Sequence, residues 1–218
     1  MKKIFYLLIT FAFFSSCKKD VKKSTIIKIC DQTWMDKNLN VSNYRNGDTI
    51  PQVKDQKTWQ SLTTGAWCWY ANDSVKFDNL YGKLYNWYAV NDPRGLAPQG
   101  WHIPSDTEWT ILETCLGGDK IAGGKLKETG TAHWLSPNGN ATNETGFTAL
   151  PGEWRPTWSN DWPLVDRIPG GRCYYWTSTE NPPTYAFYRL LNNATGFIYK
   201  EITGSLKTEG YSVRCIKD

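Results

Sequence analysis

At 218 residues, 40% of them hydrophobic, the chain is long enough for one domain with a substantial core and short for two. Its 25 Lys and Arg against 21 Asp and Glu give +4, but six lysines at positions 2, 3, 18, 19, 22 and 23 set against Asp20 supply +5 of that, so residues 25–218 carry −1. That balance excludes a nucleic-acid footprint, which needs Lys and Arg clustered on the folded surface.

Lys2 and Lys3, an apolar run over 4–14, and Ser15-Ser16-Cys17 make a basic start, a hydrophobic stretch too short to span a bilayer, and small residues ahead of a cysteine. The stretch resembles a bacterial lipoprotein signal. The resemblance implies removal of residues 1–16, a lipid anchor on Cys17, a Lys-rich tether over 17–24 and a folded domain over 25–218. Charged residues directly after the lipid cysteine resemble the surface-export signals of lipoproteins in Bacteroidota-like bacteria. The implied address is the outer membrane, facing the cell surface.

Along the folded part, Ile26, Ile27 and Ile29, a turn, and Gln32 to Met35 predict a first hairpin, which Leu39 and Val41 continue. Asn46-Gly47 is turn chemistry. Residues 55–62 predict a short helix, and 72–78 a polar loop. Apolar positions 80, 84, 87 and 88 predict a main helix over 80–90. The clearest helix start in the chain is Ser105, with Glu108 three residues on as its capping-box partner. Trp109, Leu112, Cys115 and Leu116 then share one face until Gly117-Gly118. A polar segment over 136–146, a buried strand over 147–150 and an ordered loop over 153–171 follow, loops of this length usually being functional. Strands over 173–179, 185–191, 197–202 and 212–216 complete the chain, the last able to pair with the first. Two main helices, short antiparallel strands and long ordered loops define an α+β domain.

Setting Cys17 aside leaves Cys30, Cys68, Cys115, Cys173 and Cys215, an odd number that leaves at least one thiol unpaired. Spacing does not decide the pairing. His102 and His133 are too few and too far apart for a triad or a metal site, His102 reading as a packed or capping residue. No phosphate loop, nucleophile elbow or paired-carboxylate spacing is present, so binding stands ahead of catalysis and no catalytic residue is assigned.

The order of motifs resembles the Fibrobacter succinogenes major paralogous domain over residues 26–218. They are Gln32-Thr33-Trp34-Met35 with Asn38-Leu39-Asn40, Tyr81-Gly82 through Trp87-Tyr88, and Gly100-Trp101-His102-Ile103-Pro104-Ser105 with Glu108-Trp109. Gly124 to Lys127, Gly146-Phe147 to Pro151-Gly152, Trp176 to Glu180, and Ser212-Val213-Arg214-Cys215 follow. The resemblance implies a fold similar to the C-type-lectin-like fold and carries no assigned activity. It also implies a Cys68–Cys215 disulfide, since relatives often carry cysteine at both places. Sugar-binding lectins hold calcium on a Glu-Pro-Asn loop and a Trp-Asn-Asp strand. Glu180-Asn181-Pro182 scrambles the first and Trp158-Ser159-Asn160-Asp161 only approximates the second. The helix after Ser105 also resembles that of formylglycine-generating enzymes, whose paired copper cysteines Cys215 does not reproduce.

Among the 12 tryptophans, Trp154, Trp158 and Trp162 lie within nine positions, with Pro156 and Pro163 stiffening them, and are hard to bury together. With Arg155, Asn160, Asp161 and the facing Asn181 and Tyr185 they predict a platform on which a sugar ring stacks, or a hot spot for a protein partner. The expected function is a glycan-binding or adhesive surface lipoprotein. The alternatives are an accessory subunit of an outer-membrane complex and a formylglycine-generating-type oxidase.

Overall fold

The computed structural model describes residues 26–163 and 169–218. Residues 1–25, where the signal, the lipid-bearing Cys17 and the tether are expected, lie outside them. The predicted first hairpin forms as β1 (Ile26–Ile29) and β2 (Gln32–Met35), closed by Cys30 in the left-handed region at φ 54°. The C-terminal strand β10 (Ile216–Lys217) pairs with β2 rather than with β1, and its other edge takes β5 (Trp101–His102). The first and last described strands therefore lie in one sheet of order β1-β2-β10-β5. Leu39 and Val41 do not extend the hairpin; they fold into the core side of an irregular segment.

A short helix α1 (Gln56–Gln60) is capped by Asp55, whose carboxylate accepts from the Thr58 amide. The region expected as a polar loop and then one helix over 80–90 is built otherwise. Asp73 caps α2 (Ser74–Tyr81), which buries only Phe77 and Tyr81 and so looks polar in sequence. Gly82 at φ 72° stops it. Leu84 and Tyr85 then form β4 (Leu84–Tyr85), paired with β3 (Trp67–Cys68), and a single turn α3 (Trp87–Val90) follows. Apolar spacing that fits a helix is here spent on strand pairing.

The predicted central helix is α4 (Asp106–Cys115), its capping box complete: the Ser105 amide donates to Glu108 Oε2 at 2.7 Å and the Glu108 amide to Ser105 Oγ at 3.2 Å. After Gly117-Gly118 comes a helix absent from the sequence reading, α5 (Asp119–Leu126). It contains Gly123 and Gly124, which lower helix propensity. The fold requires them, because a Cβ at Gly123 would lie 2.2 Å from Phe197 O and one at Gly124 2.3 Å from Asn140 O. The expected strand over 147–150 reduces to a single bridge, Ala149 to Lys127.

The second sheet is a meander of β6 (Arg172–Asn181), β7 (Tyr185–Asn192), β8 (Ile198–Tyr199) and β9 (Ser205–Leu206), with β7 central. Strand alternation makes β6 the wall between two cores. Cys173 and Tyr175 face the cluster of Trp34, Trp109 and Phe147, while Tyr174 and Trp176 face that of Tyr85, Trp87 and Tyr211. Trp34 and Trp109, both fully buried, pack at 4.9 Å between centroids. A third cluster gathers Trp59, Cys68, Phe77 and Tyr81 under α1 and α2. The architecture is thus α+β with antiparallel sheets.

The disulfide joins Cys30 to Cys115, with Cα atoms 6.7 Å apart, and ties the first hairpin to the end of α4. The pair implied by the resemblance, Cys68 with Cys215, is not formed. Cys68 lies in the third cluster and Cys215 in the one beside Tyr85, and both are free and buried. Burial pushes the Cys68 thiol up to about 11 and Cys215 to about 12, so both stay protonated at neutral pH.

Candidate functional site: a pinned tryptophan loop

The three clustered tryptophans do not form one platform. Trp154 is 7% exposed and packs on Tyr174 at 4.8 Å, extending the aromatic stack that runs through Tyr211 to Trp176. Trp162 packs against the third cluster and donates its indole N–H to Trp154 O at 3.1 Å. Trp158 alone stands out, 67% exposed.

Arg155 is also removed from the surface. Fully buried, it is sandwiched between Trp59 and Trp162, its guanidinium carbon 4.4 and 4.5 Å from the two ring centroids. Its Nε donates to Gln56 Oε1 at 2.8 Å, and its two terminal nitrogens donate to Val53 O at 2.6 Å and Lys54 O at 2.9 Å. A guanidinium that is fully buried and donates from all three nitrogens inside the fold is a strut, and it is unavailable to a ligand.

The strut has a purpose for the loop above it. Gln56, oriented by Arg155, donates from Nε2 to Pro156 O at 2.7 Å and Ser159 O at 2.9 Å. One helical turn on, Gln60 Nε2 donates to Thr157 O at 2.8 Å and Ser159 O at 3.0 Å. From the other side Glu209 Oε1 accepts from the Thr157 amide at 3.1 Å and its hydroxyl at 3.0 Å. Five hydrogen bonds thereby fix the backbone on both sides of Trp158 and a sixth holds the Thr157 hydroxyl, while the indole remains in water. At the base, Glu153 Oε1 accepts from the Gly171 and Arg172 amides at 2.9 and 3.0 Å.

Glu209 is itself unusual. It is 5% exposed, its Oε2 is buried with no hydrogen-bond partner among the described residues, and burial pushes its carboxyl up to about 7. Its charge is felt by Tyr188 on β7 and by Tyr211, whose hydroxyls it pushes further above their usual range.

Of the remaining residues, Asn160 and Asp161 are exposed beside Trp158. Asn181 and Tyr185 pair across the end of the β6–β7 hairpin, and among the described residues no hydrogen bond or ring contact joins them to the loop. Asn181 donates to Thr203 O at 3.0 Å and Tyr185 is 41% exposed. Of the lectin-like residues, Glu180 pairs with the Lys207 ammonium and Asn181 Nδ2 donates to Thr203 O. Among the described residues no group of three His, Cys, Asp or Glu is placed to hold a metal ion. His102 bridges two carboxylates, Glu108 and Asp218, each at 2.7 Å, which overcome the burial opposing them and hold its pKa above the usual value. Gln56, Gln60 and Glu209 were not legible as site residues, since nothing local marks a glutamine on a short helix as a partner for a loop 100 residues away.

Fold and loop together define an α+β domain that displays one tryptophan on a braced backbone. Residues 27–217 match the Fibrobacter succinogenes major domain, and the chain belongs to that family. No curated protein and no solved structure matches the chain.

Proposed function

We propose that the protein is a lipid-anchored outer-membrane binding module, without catalytic activity, that engages a glycan through the Trp158 loop. The observation that carries this reading is the contrast between a fixed backbone and an exposed indole at residue 158. Keeping a large apolar ring in water is unfavourable, and bracing its backbone removes the ordering cost that binding would otherwise incur. Asn160 and Asp161 beside it offer hydrogen-bonding groups to hydroxyls. The signal-like residues 1–16 and Cys17 support delivery to a membrane by lipidation, and the sharing of one sheet by the first and last described strands supports a C-type-lectin-like arrangement.

Glycan arrays probed with wild type and Trp158→Ala test the reading. The variant should lose binding at least tenfold while its stability changes by less than ~0.5 kcal/mol, as for surface residues away from packing contacts. An array on which wild type retains nothing, or retains as much after the substitution, rejects it. Trp158-dependent capture of a protein complex from solubilised membranes would instead favour the accessory-subunit role. Mass spectrometry of the mature N-terminus, finding acylated Cys17 or an unmodified residue beyond it, decides the anchor.

A further inference from the structure

A second feature lies away from the Trp158 loop. A cleft of about 390 Å³ opens between α4, the start of α5 and β8. One wall is aromatic. Alternation along the strand sends Ile198 into the core and leaves Phe197 and Tyr199 on the outer side, their centroids 5.8 Å apart. Phe197 is 36% exposed, and the Tyr199 hydroxyl is held by Thr195 Oγ1 at 3.1 Å. The other wall is polar and braced from behind by Arg189, which is fully buried. Its Nε donates to Glu113 Oε1, one terminal nitrogen to Asp106 Oδ1 at 2.6 Å, and the other to Thr110 Oγ1 at 3.2 Å. Asp106 in turn holds the Lys200 ammonium. Glu113 and Lys200 thus line the cleft in fixed positions, with the second oxygen of Glu113 left without a partner among the described residues.

We propose that this cleft binds a single neutral sugar ring, its apolar face laid on Phe197 and its hydroxyls bonded by Glu113 and Lys200. The volume falls at the small end of the ~300–1,000 Å³ typical of ligand clefts, the scale of one or two rings. The lining carries two acids, Glu113 and Asp119, and two cations, Lys120 and Lys200, so its charges cancel and give a net-charged ligand no advantage. Donors and acceptors alternating opposite an aromatic face match a pyranose, which presents both on its rim and C–H groups on its face. The site is separate from the Trp158 loop, and the inference does not depend on that reading.

Saturation-transfer NMR on the full chain tests it, with methyl glucoside, methyl galactoside, methyl mannoside and N-acetylglucosamine as neutral probes and glucuronate and glucosamine as charged ones. In the Trp158→Ala chain, which removes the loop as a second source of signal, at least one neutral sugar should receive saturation, reduced at least fivefold on adding Phe197→Ala or Lys200→Ala and retained on adding Phe197→Tyr. Lys200 is exposed, so its variant reports on the cleft even where Phe197→Ala disturbs folding. No transfer to any neutral sugar overturns the proposal, as does transfer that survives both cleft variants. Transfer lost in Trp158→Ala and kept in Phe197→Ala overturns it too, while leaving the loop reading standing. Preferential binding of glucuronate or glucosamine refutes the neutral class.

Discussion

Glu209 gives the sharpest quantitative test, because one carboxylate both braces the loop and bears a penalty for being buried. Burial raises its pKa from the ordinary 4.5 to about 7, against the two hydrogen bonds from Thr157. The folded state therefore binds the Glu209 proton more tightly than the unfolded chain. Between pH 4.5 and about 7 the folded state holds more protons than the unfolded one, so stability falls as pH rises through that window and levels off above it. At ~1.4 kcal/mol per tenfold, the displacement corresponds to about 3 kcal/mol. Glu209→Gln removes the charge while its carbonyl oxygen still accepts from Thr157. Its new NH₂ sits where Oε2 has no partner, at a cost of ~1–3 kcal/mol that does not vary with pH. The decisive quantity is the difference between pH 5 and pH 8 in urea-unfolding free energy, wild type against variant. Other titrating groups, His102 included, act equally in both chains and cancel. Wild type should lose about 2.5 kcal/mol more than the variant over that span, the rest of the displacement falling below pH 5. Parallel pH profiles would show that Glu209 is solvated or paired in the folded protein, and the account of the braced loop would fail with it.

Three further outcomes follow from the same geometry. Cys30→Ser should destabilise the protein by about 4–5 kcal/mol on the chain-entropy description of an 85-residue loop, measured by denaturant unfolding without reductant. Non-reducing peptide mapping should recover the Cys30–Cys115 peptide, and a Cys68–Cys215 peptide would overturn the pairing. Gly123→Ala should cost on the order of 2–3 kcal/mol, because its Cβ meets the Phe197 carbonyl and backbone has to move. An unchanged melting temperature would show that α5 and the 196–198 segment are not in close contact.

What was legible in the sequence was what neighbours in the chain decide. The Ser105–Glu108 capping box is complete within four residues, and β6 and β7 announce themselves by alternation and β-branched or aromatic content. What was illegible depended on distant partners. Gly123 and Gly124 weaken the helix signal of α5, and their necessity is visible only once Phe197 and Asn140 lie against them. The 80–90 segment carries helical spacing, yet Leu84 and Tyr85 find strand partners in Trp67 and Cys68. Of the site residues expected in the loop, Trp158 with Asn160 and Asp161 stays at the surface. Arg155 is withdrawn by Trp59 and Gln56, nearly 100 positions upstream, and Trp162 packs over its guanidinium and against Tyr70.

The motifs on which the family resemblance rests lie in the frame, and the candidate contacts lie outside them. Trp34 and Trp109 fill one core, the Trp176 indole donates to Tyr85 O at 2.8 Å, and buried Arg214 donates to Asn38 Oδ1 at 2.8 Å, its guanidinium carbon 4.2 Å from the Phe147 centroid. These contacts join the two sheets and the first hairpin without involving residues 156–161. The loop is fastened instead to α1 and to Glu209. Because its six hydrogen bonds end on side chains that the frame does not use, the loop can differ in length or sequence without loosening the core. Such separation of scaffold from surface is what lets one fold carry different contacts. It also means that truncating Trp158 and truncating Trp109 should act independently. The double variant's loss of stability should equal the sum of the single losses within ~0.5 kcal/mol, nearly all of it, about 3–5 kcal/mol, from Trp109. A coupling above 1 kcal/mol would show that the loop is part of the frame and that its exposed indole serves the fold.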